Sequence, residues 1–331
     1  MIRAGGRSRA VRLLIGLAIS LVFVAATVSR VDLGEVAAAL GRVDLRGMAV
    51  AVGIIFIELT LRGLRWQRLL APMAAVPLRR SMAYLAIGYF ANSMLPARLG
   101  DVARAYLAGQ SFGLSRLGVL GTVVVERLAD GLFILGLVVV LGLTVAGGGS
   151  LATNAGWLIA LAAAGAGGLV VGIAWLRSSG EGRIKVRVRS FVDRVLVGAQ
   201  ALSSPRGFAV VVLLTVVSFL PSIVMFTVIS GAAGLQLSLP QNVLVMGGLA
   251  LSTAIPAAPG SIGTYEFVGL TILTALGVNP DLALAVVVLT HLVVTLPLAL
   301  TGLVAAWQFH FRVSDIANDA EPAVMTQDNA V

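Results

Sequence analysis

Long apolar segments separated by short polar ones cover almost the whole chain. Because a helix needs about 20 predominantly apolar residues to cross a bilayer, these segments predict membrane spans. The predicted spans are 13–28, 46–61, 117–145, 155–176, 208–233 and 281–311. A short amphipathic segment, 31–42, predicts a helix that lies on the outer membrane interface. The pattern is typical of an all-α, polytopic helical membrane protein.

Two further apolar helices stop before they are long enough to cross. The first begins near Tyr84 and reaches only Leu95, within the stretch SMAYLAIGYFANSMLPARLGDVARAYLAG. The residues that interrupt this stretch are Asn92, Pro96, Arg98, Asp101 and Arg104. Backbone that leaves the helix at membrane depth is tolerated only where protein or a water-filled cavity satisfies its hydrogen bonds. We therefore predict a re-entrant hairpin at a binding site or pathway.

The second short helix lies in LPQNVLVMGGLALSTAIPAAPGSIGTYEFVGLTILTALG. It stops near Ile255, and a new helix opens near Thr264. The residues that interrupt it are Pro256, Pro259, Gly260 and Gly263. This predicts a second re-entrant hairpin. In the predicted threading the two hairpins enter the membrane from opposite faces, which predicts an inverted-topology repeat.

The same threading predicts the topology and the division of the chain. It leaves only Arg30, Arg42 and Arg46 outside and places both termini in the cytoplasm, in agreement with the positive-inside rule. We predict one transmembrane domain over 1–312, with halves at 10–146 and 155–311, a basic cytoplasmic linker at 177–206 and a disordered cytoplasmic tail at 313–331. Within the linker, RIKVRVR predicts either a short strand or a segment lying on the membrane surface.

Composition supports this class and excludes several kinds of site. The chain is 58% hydrophobic and only 12% charged, whereas a soluble domain has about 25% charged residues. It has no cysteine, so disulfides and thiolate sites are excluded, and its two histidines predict no metal site and no cofactor. The net charge of +9 indicates arginines held against anionic lipid and not a nucleic-acid partner.

Six charged residues fall inside predicted membrane segments. They are Arg98, Asp101, Arg104, Glu126, Arg127 and Asp130. Each costs about 2.5 to 3.5 kcal/mol near the bilayer centre, so they must face inward and find partners or water. In one interpretation Arg98 and Arg104 bind a phosphate diester, and Glu126 and Asp130 hold these arginines when no lipid is bound. In the other, the charges form a buried salt-bridge network that only locks helices together.

The second break predicts a different kind of anion site. Backbone amides between Pro259 and Thr264, including those of Gly260 and Gly263, and the positive end of the helix that follows suit a phosphate or carboxylate. Glu266 either caps that helix or pairs with an arginine of the first hairpin. Alternatively, the prolines and glycines form a kink that serves only packing.

Three other polar groups lie in or next to predicted spans. Glu58 either takes a proton or pairs with the embedded arginines, and His291 is expected to make one hydrogen bond in the core. Three arginines recur at intervals of three after Glu58: Arg62, Arg65 and Arg68. We interpret them as a topology signal at the cytoplasmic boundary in preference to a lipid head-group contact, with Trp66 as an interfacial anchor.

Three motifs, NSMLPARLGDVARA (92–105), VVERLADG (124–131) and PAAPGSIGTYE (256–266), follow one another in this order. In this combination the chain resembles the lysylphosphatidylglycerol synthase transmembrane region, a flippase-like domain that also occurs in stand-alone bacterial and archaeal membrane proteins. The resemblance runs from about residue 12 to residue 311. The family often has Glu where this chain has Asp101, and is often richer in glycine where this chain has Ser261 and Ile262.

The resemblance implies movement of a phospholipid or polyprenyl-phosphate-linked substrate between the leaflets of a bacterial or archaeal inner membrane. It does not imply aminoacyl transfer, and no catalytic motif predicts an enzyme. One alternative is an integral membrane enzyme acting on a lipid phosphate, with Asp101, Glu126 or Asp130 as base. The other is a non-transporting scaffold that binds anionic lipid or a partner glycosyltransferase.

Overall fold

A computed structural model describes residues 4–95, 99–145, 192–253, 255 and 257–309 of the chain. These residues are helical or lie in turns, and none of them is in a β-strand. The α-helices are α1 (Ala4–Val28), α2 (Leu33–Gly41), α3 (Leu45–Leu70), α4 (Leu78–Met94), α5 (Leu99–Phe112), α6 (Arg116–Val145), α7 (Pro205–Ala232), α8 (Leu239–Ser252), α9 (Thr264–Ala275) and α10 (Pro280–Gln308). Two short 3-10 helices, Val197–Leu202 and Pro259–Ser261, precede α7 and α9.

Several of these helices are long and apolar enough to cross a membrane. Among the described residues they are α3, α7 and α10, and a fourth is formed if α1 and α2 count as one bent span. The axes of α1 and α2 differ by 83°, as expected for a span followed by a helix that changes direction. The chain is therefore an all-helical, multi-pass membrane protein, as predicted.

Several predictions lie wholly or largely outside the described residues. They are the span at 155–176, the segment RIKVRVR, most of the linker at 177–206 and the tail at 313–331. The division into domains and the inverted repeat stay predictions.

Side chains that cap helix ends explain where several helices begin. Asp32 and Asp44 accept hydrogen bonds from the first backbone amides of α2 and α3. Ser204 and Asn279 do the same for α7 and α10, and in both cases a proline takes the first helical position. Proline is favoured there because its missing N–H would have no partner in the first turn.

The first predicted helix break is present and forms a hairpin, and its re-entry into the membrane stays a prediction. α4 and α5 run antiparallel: the Tyr84 hydroxyl donates to Ser111 Oγ at 2.7 Å, and the Gly100 amide donates to Asn92 Oδ1 at 2.8 Å. The helices have 17 and 14 residues, or about 26 and 21 Å, which is shorter than a bilayer core of about 30 Å. A Cβ added to Gly100 would overlap the backbone carbonyl oxygen of Gly88 on α4 and would lie 2.6 Å from Asn92 Oδ1, so the close approach of the two helices requires glycine there.

The second predicted helix break is present as well, and its re-entry into the membrane also stays a prediction. α8 ends at Ser252 and α9 begins at Thr264, and the turn between them packs against α4 and α1. Ser20 of α1 holds this turn from both sides, because its Oγ donates to the Ile262 carbonyl at 2.7 Å and accepts from the Ala258 amide at 2.8 Å. The two broken helices therefore meet inside one bundle.

The core lies where α3 packs on α7 and where α10 packs on α4. Trp66 is fully buried in this core, and its Nε1–H donates to Thr122 Oγ1 at 3.0 Å. The prediction that Trp66 is an interfacial anchor is therefore wrong. An indole buried beside a hydroxyl satisfies its polar group without water.

Candidate functional site: a chain of ion pairs and two helix breaks

Eight charged side chains from α3, α5 and α6 form one continuous chain of ion pairs, with carboxylates and guanidinium groups in alternation. In order, its members are Glu58, Arg62, Asp130, Arg65, Glu126, Arg104, Asp101 and Arg127. The longest nitrogen–oxygen distance along it is 3.7 Å, between Arg62 and Asp130. Four positive charges balance four negative ones, so this ion-pair chain is neutral as a whole.

α3 contributes three members of the ion-pair chain from one face. Glu58, Arg62 and Arg65 are spaced by four and three residues, which places them on the same side of a helix. Arg65 has no exposed side-chain surface, and Arg62 has 13%. The prediction that these two arginines mark the cytoplasmic boundary is therefore wrong, whereas Arg68 is exposed. A residue three positions further along a helix is displaced by roughly 60° around the axis. Arg68 therefore no longer lies on the helix face that carries Glu58.

α6 contributes Glu126 and Asp130, which lie one helical turn apart on one face. Arg65 lies between them, with Nη2 at 2.7 Å from Glu126 Oε1 and Nη1 at 2.5 Å from Asp130 Oδ1. Nη1 also donates to Thr215 Oγ1 of α7 at 3.2 Å. The prediction that this pair of carboxylates holds arginines agrees with the geometry, but Asp130 holds Arg65 and Arg62 of α3 and not an arginine of α5.

Arg104 of α5 is buried, with 1% of its side chain exposed. Its Nη1 lies 2.9 Å from Glu126 Oε2, and its Nη2 lies 3.1 Å from Asp101 Oδ1. The guanidinium carbon also lies 5.1 Å from the ring centroid of Trp66. These contacts correspond to the salt-bridge interpretation of Arg104, since a lipid phosphate would have to displace a carboxylate in the packed interior.

The Asp101–Arg127 end of the ion-pair chain is open. Arg127 donates from Nε to Asp101 Oδ2 at 3.1 Å and from Nη2 to Oδ1 at 3.0 Å. The exposed fraction of the side chain is 36% for Arg127 and 16% for Asp101. Asp101 lies in the first turn of α5, directly after the first break, where Asn92 holds the Gly100 amide. Arg98, the other predicted phosphate ligand, lies outside the described residues.

At the opposite end, Glu58 is the last carboxylate of the ion-pair chain. Its Oε1 accepts from Arg62 Nε, and its Oε2 accepts from Ser222 Oγ of α7 at 2.7 Å. Glu58 thus pairs with an arginine, as one of the two interpretations predicted.

At the second break, Glu266 and His291 are in direct contact. Glu266 Oε2 accepts from the Gly263 amide at 2.7 Å, and Oε1 lies 2.5 Å from His291 Nδ1. His291 Nε2 lies 2.9 Å from the carbonyl oxygen of Gly260. The imidazole ring stacks on Tyr265, with 4.4 Å between the centroids. His291 thus makes two polar contacts, not the single core hydrogen bond expected.

The backbone of the second break explains its glycines. Gly260 and Gly263 have φ angles of 72° and 89°, a region that side chains with a Cβ rarely adopt. Ser261 has φ 59°, at a position where the family resemblance favours glycine. The Gly263 amide donates its hydrogen bond to the Glu266 carboxylate, so a carboxylate of the chain itself fills part of the predicted anion site. Thr264 is fully buried, and its hydroxyl donates to the Ser261 carbonyl at 2.9 Å.

An open groove of about 510 Å³ runs between α3, α4 and α10. Its walls are mainly apolar, and among the lining residues are Phe56, Leu59, Met82, Leu300, Val304 and Ala305. Arg79 and Gln308 also line it, at the first turn of α4 and the last turn of α10. Arg79 makes no ion pair with the described part of the chain. The described part of the chain contains no group of three or more His, Asp or Glu side chains that could hold a metal ion.

A family model for the lysylphosphatidylglycerol synthase TM region matches residues 13–302. The chain belongs to this family. The match includes both helix breaks, every member of the ion-pair chain and the Glu266–His291 pair. The lysylphosphatidylglycerol synthase transmembrane region is a membrane domain of the flippase-like kind. No curated protein matches the chain.

Sequence reasoning missed Arg62, Arg65 and His291 as members of these clusters. For α3 a signal was present, because Glu58 inside an apolar helix predicts that its helical neighbours at four and seven residues face the same interior. For His291 the only signal was an ionisable residue within a span. Its partner, Glu266, is 25 positions away, so no local spacing in this flippase-like sequence indicates the pair.

Proposed function

We propose that the protein moves an anionic phospholipid or lipid-linked phosphate between the leaflets of a membrane without changing it chemically. The observation that carries this proposal is the open Asp101–Arg127 end of the ion-pair chain at the first helix break. An exposed guanidinium at membrane depth is costly unless it serves an anion or a water-filled path. A planar guanidinium also matches a phosphate diester better than any other side chain.

The inner part of the ion-pair chain has a different role in this proposal. Arg65, Arg104 and Glu126 are at most 1% exposed, and Glu126 lies within ion-pair distance of both arginines. They fix α3, α5 and α6 so that the open end stays in place. Arg127 can then exchange Asp101 for a phosphate, because Asp101 keeps its contact with Arg104.

The groove between α3, α4 and α10 suits the apolar part of the same substrate. Its apolar walls match an acyl or polyprenyl chain, and Arg79 lies where a head group would be. α4 lines this groove and also leads into the first break. Lipid bound there would therefore contact the hairpin that carries the site.

The distribution of charge supports the orientation that we propose, with both termini in the cytoplasm and the protein in the inner membrane of a bacterium or archaeon. Among the described arginines, one end of the bundle carries Arg68, Arg79, Arg80, Arg116 and Arg206, and the other carries Arg30, Arg42 and Arg46. The first end matches the cytoplasmic side under the positive-inside rule. A glycosyltransferase that uses the lipid-linked substrate is the partner that this proposal allows.

The test is a leaflet-exchange assay in proteoliposomes with a fluorescent anionic phospholipid. The wild type should move the lipid, and Arg127→Gln should slow it at least about tenfold, since a charge-assisted contact to phosphate is worth about 1.5 to 3 kcal/mol. Arg42→Gln, which changes an exposed arginine outside both breaks, is the matched control and should behave as wild type. Normal movement by Arg127→Gln would overturn the proposed site.

The same vesicles separate the two alternative functions. A change in lipid mass during the assay would indicate an integral membrane enzyme. Binding of anionic lipid without any exchange between leaflets would indicate a scaffold. Either result would overturn transport as the function.

A further inference from the structure

The partners of the two ring nitrogens of His291 determine how many protons the Glu266–His291 pair must carry. A carbonyl oxygen can only accept, so the 2.9 Å contact to Gly260 requires a proton on Nε2. The 2.5 Å contact between Nδ1 and Glu266 Oε1 also requires a proton between its two atoms. A neutral imidazole carries one N–H, and an ionised carboxylate carries none. The pair in this geometry therefore holds one proton more than neutral histidine and ionised glutamate supply.

We propose that Glu266 and His291 form a proton-binding site that holds the second helix break closed, and that loss of its proton releases the break. With the extra proton, the pair is either an imidazolium with a carboxylate or an imidazole with a carboxylic acid. Both forms have the same composition and no net charge. Without it, one of the two contacts would bring two acceptors together, and that contact must open.

The turn is built so that opening this contact changes its conformation. Glu266 is also the cap of α9 through the Gly263 amide, and Gly260 is the residue that His291 holds. Between them, Ser261 has a φ of 59°, a backbone strain that persists only where several contacts enforce it. On the other side, Ser20 of α1 keeps its two hydrogen bonds to the turn. Deprotonation therefore weakens the Glu266–His291 contacts that hold the turn and leaves the two hydrogen bonds of Ser20 in place.

Few other charged or titratable groups face this pair. Tyr265 on α9 stacks on the imidazole ring. Glu58 lies on α3, which packs on α10, and is paired with Arg62. Arg30, which follows α1, lies over the ring of Phe267 on α9, 5.1 Å from its centroid. The other helices that pack around α9 and α10 carry few titratable groups. They are Glu35 on α2, Arg79, Arg80, Tyr84 and Tyr89 on α4, Arg206 on α7 and Asp281 on α10 itself. α8 and residues 16–28 of α1 have no titratable side chain.

The role of this site in transport rests on the proposed function, but its existence is tested without any lipid movement. The chain has no cysteine, so Thr264→Cys places a single thiol at the end of the turn, where the native residue is fully buried and a thiol reacts only when the turn opens. Leu239→Cys, at the first residue of α8 and 66% exposed in the native chain, is the reference. The ratio of their maleimide labelling rates cancels the ionisation of the thiol itself.

The ratio should rise at least about tenfold between about pH 5 and pH 9 as the pair loses its proton and the turn opens. Glu266→Gln is the decisive variant. Its amide oxygen still accepts from Gly263, and its NH₂ donates to Nδ1 of a neutral His291, so every contact survives without a removable proton. Its ratio should stay low at pH 9, where that of the wild type is high. His291→Ala removes the contacts between His291 and the turn, and its ratio should stay high at every pH.

A ratio that does not change with pH in the wild type would overturn the proton site, and so would a Glu266→Gln variant that keeps the pH dependence. These outcomes are independent of the lipid assay. If Arg127→Gln moves lipid normally while the turn still responds to pH, the proposed transport site fails and the proton site remains. If Arg127→Gln is inactive and the labelling ratio does not change with pH, the proton site fails and the proposed transport site remains.

Discussion

The centre of the ion-pair chain offers the most direct test of its structural role, through the substitution Arg65→Met. Arg65 has no exposed side-chain surface and contacts both Glu126 and Asp130. Methionine is close to it in length and carries no charge. The substitution leaves the ion-pair chain with four carboxylates and three arginines.

The expected cost follows from the burial of the charges. Removing one member of a buried ion pair costs about 3 to 5 kcal/mol, because the remaining charge is left in the interior without its partner. Combining Arg65→Met with Asp130→Asn restores neutrality, so the double variant should regain about 1 to 3 kcal/mol relative to the sum of the single changes. Arg127→Met, at the end where 36% of the side chain is exposed, should cost at most about 1 kcal/mol.

The free energy of unfolding is measured by titrating SDS into mixed micelles and following tryptophan fluorescence. The buried Trp66, which lies against Arg104, makes this signal sensitive to the loss of packing around the ion-pair chain. Arg42→Met serves as a control for removing an exposed arginine. Two results would show that the charges do not act as one balanced unit. One is that Arg65→Met destabilises the protein no more than Arg127→Met. The other is that the double variant loses as much unfolding free energy as the two single variants together.

Two further predictions concern the first hairpin. Gly100→Ala should destabilise the protein by about 3 kcal/mol or more in the same titration, because its Cβ would overlap the backbone carbonyl oxygen of Gly88. Gly53→Ala, whose Cβ would meet nothing within 4 Å, should instead stabilise the protein by about 0.5 to 1 kcal/mol. Equal effects of the two substitutions would contradict the close packing. Single cysteines at Arg79 and Gln110, which lie at the open end of the hairpin and are exposed, should react with a membrane-impermeant reagent from the same side. Labelling from opposite sides would show that α4 or α5 crosses the membrane.

The two breaks were predictable because the residues that cause them act locally. Proline and glycine remove or free hydrogen bonds in their own turn of helix, so Pro259 and Gly263 indicated where the apolar helix had to stop. The embedded charges were predictable for the same reason, since a charge inside an apolar run must face inward. Both kinds of prediction need only the sequence near the residue.

The pairing of the charges was not predictable, because it depends on which helices pack together. Hydropathy placed Asp101 and Glu126 at membrane depth, but it contains no information on whether Arg104 or Arg65 lies nearer to them. The assignment of Arg62 and Arg65 to the cytoplasmic boundary failed in this way. The positive-inside rule describes arginines that remain in water, whereas these two form ion pairs with α6 and contact side chains of α7.

The charge count around the first break leads to a final prediction about the substrate. The eight members of the ion-pair chain balance, so they can be enclosed without a net charge at membrane depth. Arg98 lies outside the described residues. In the sequence it immediately precedes Leu99, the first residue of α5, and we predict that it adds one positive charge to this neutral set. A phosphate diester carries one negative charge and would neutralise it, with Arg127 as the second contact. Arg98→Ala should therefore abolish exchange of an anionic phospholipid in proteoliposomes and leave the unfolding free energy near that of the wild type. If this variant moves the lipid normally, the surplus charge at the break does not select the substrate.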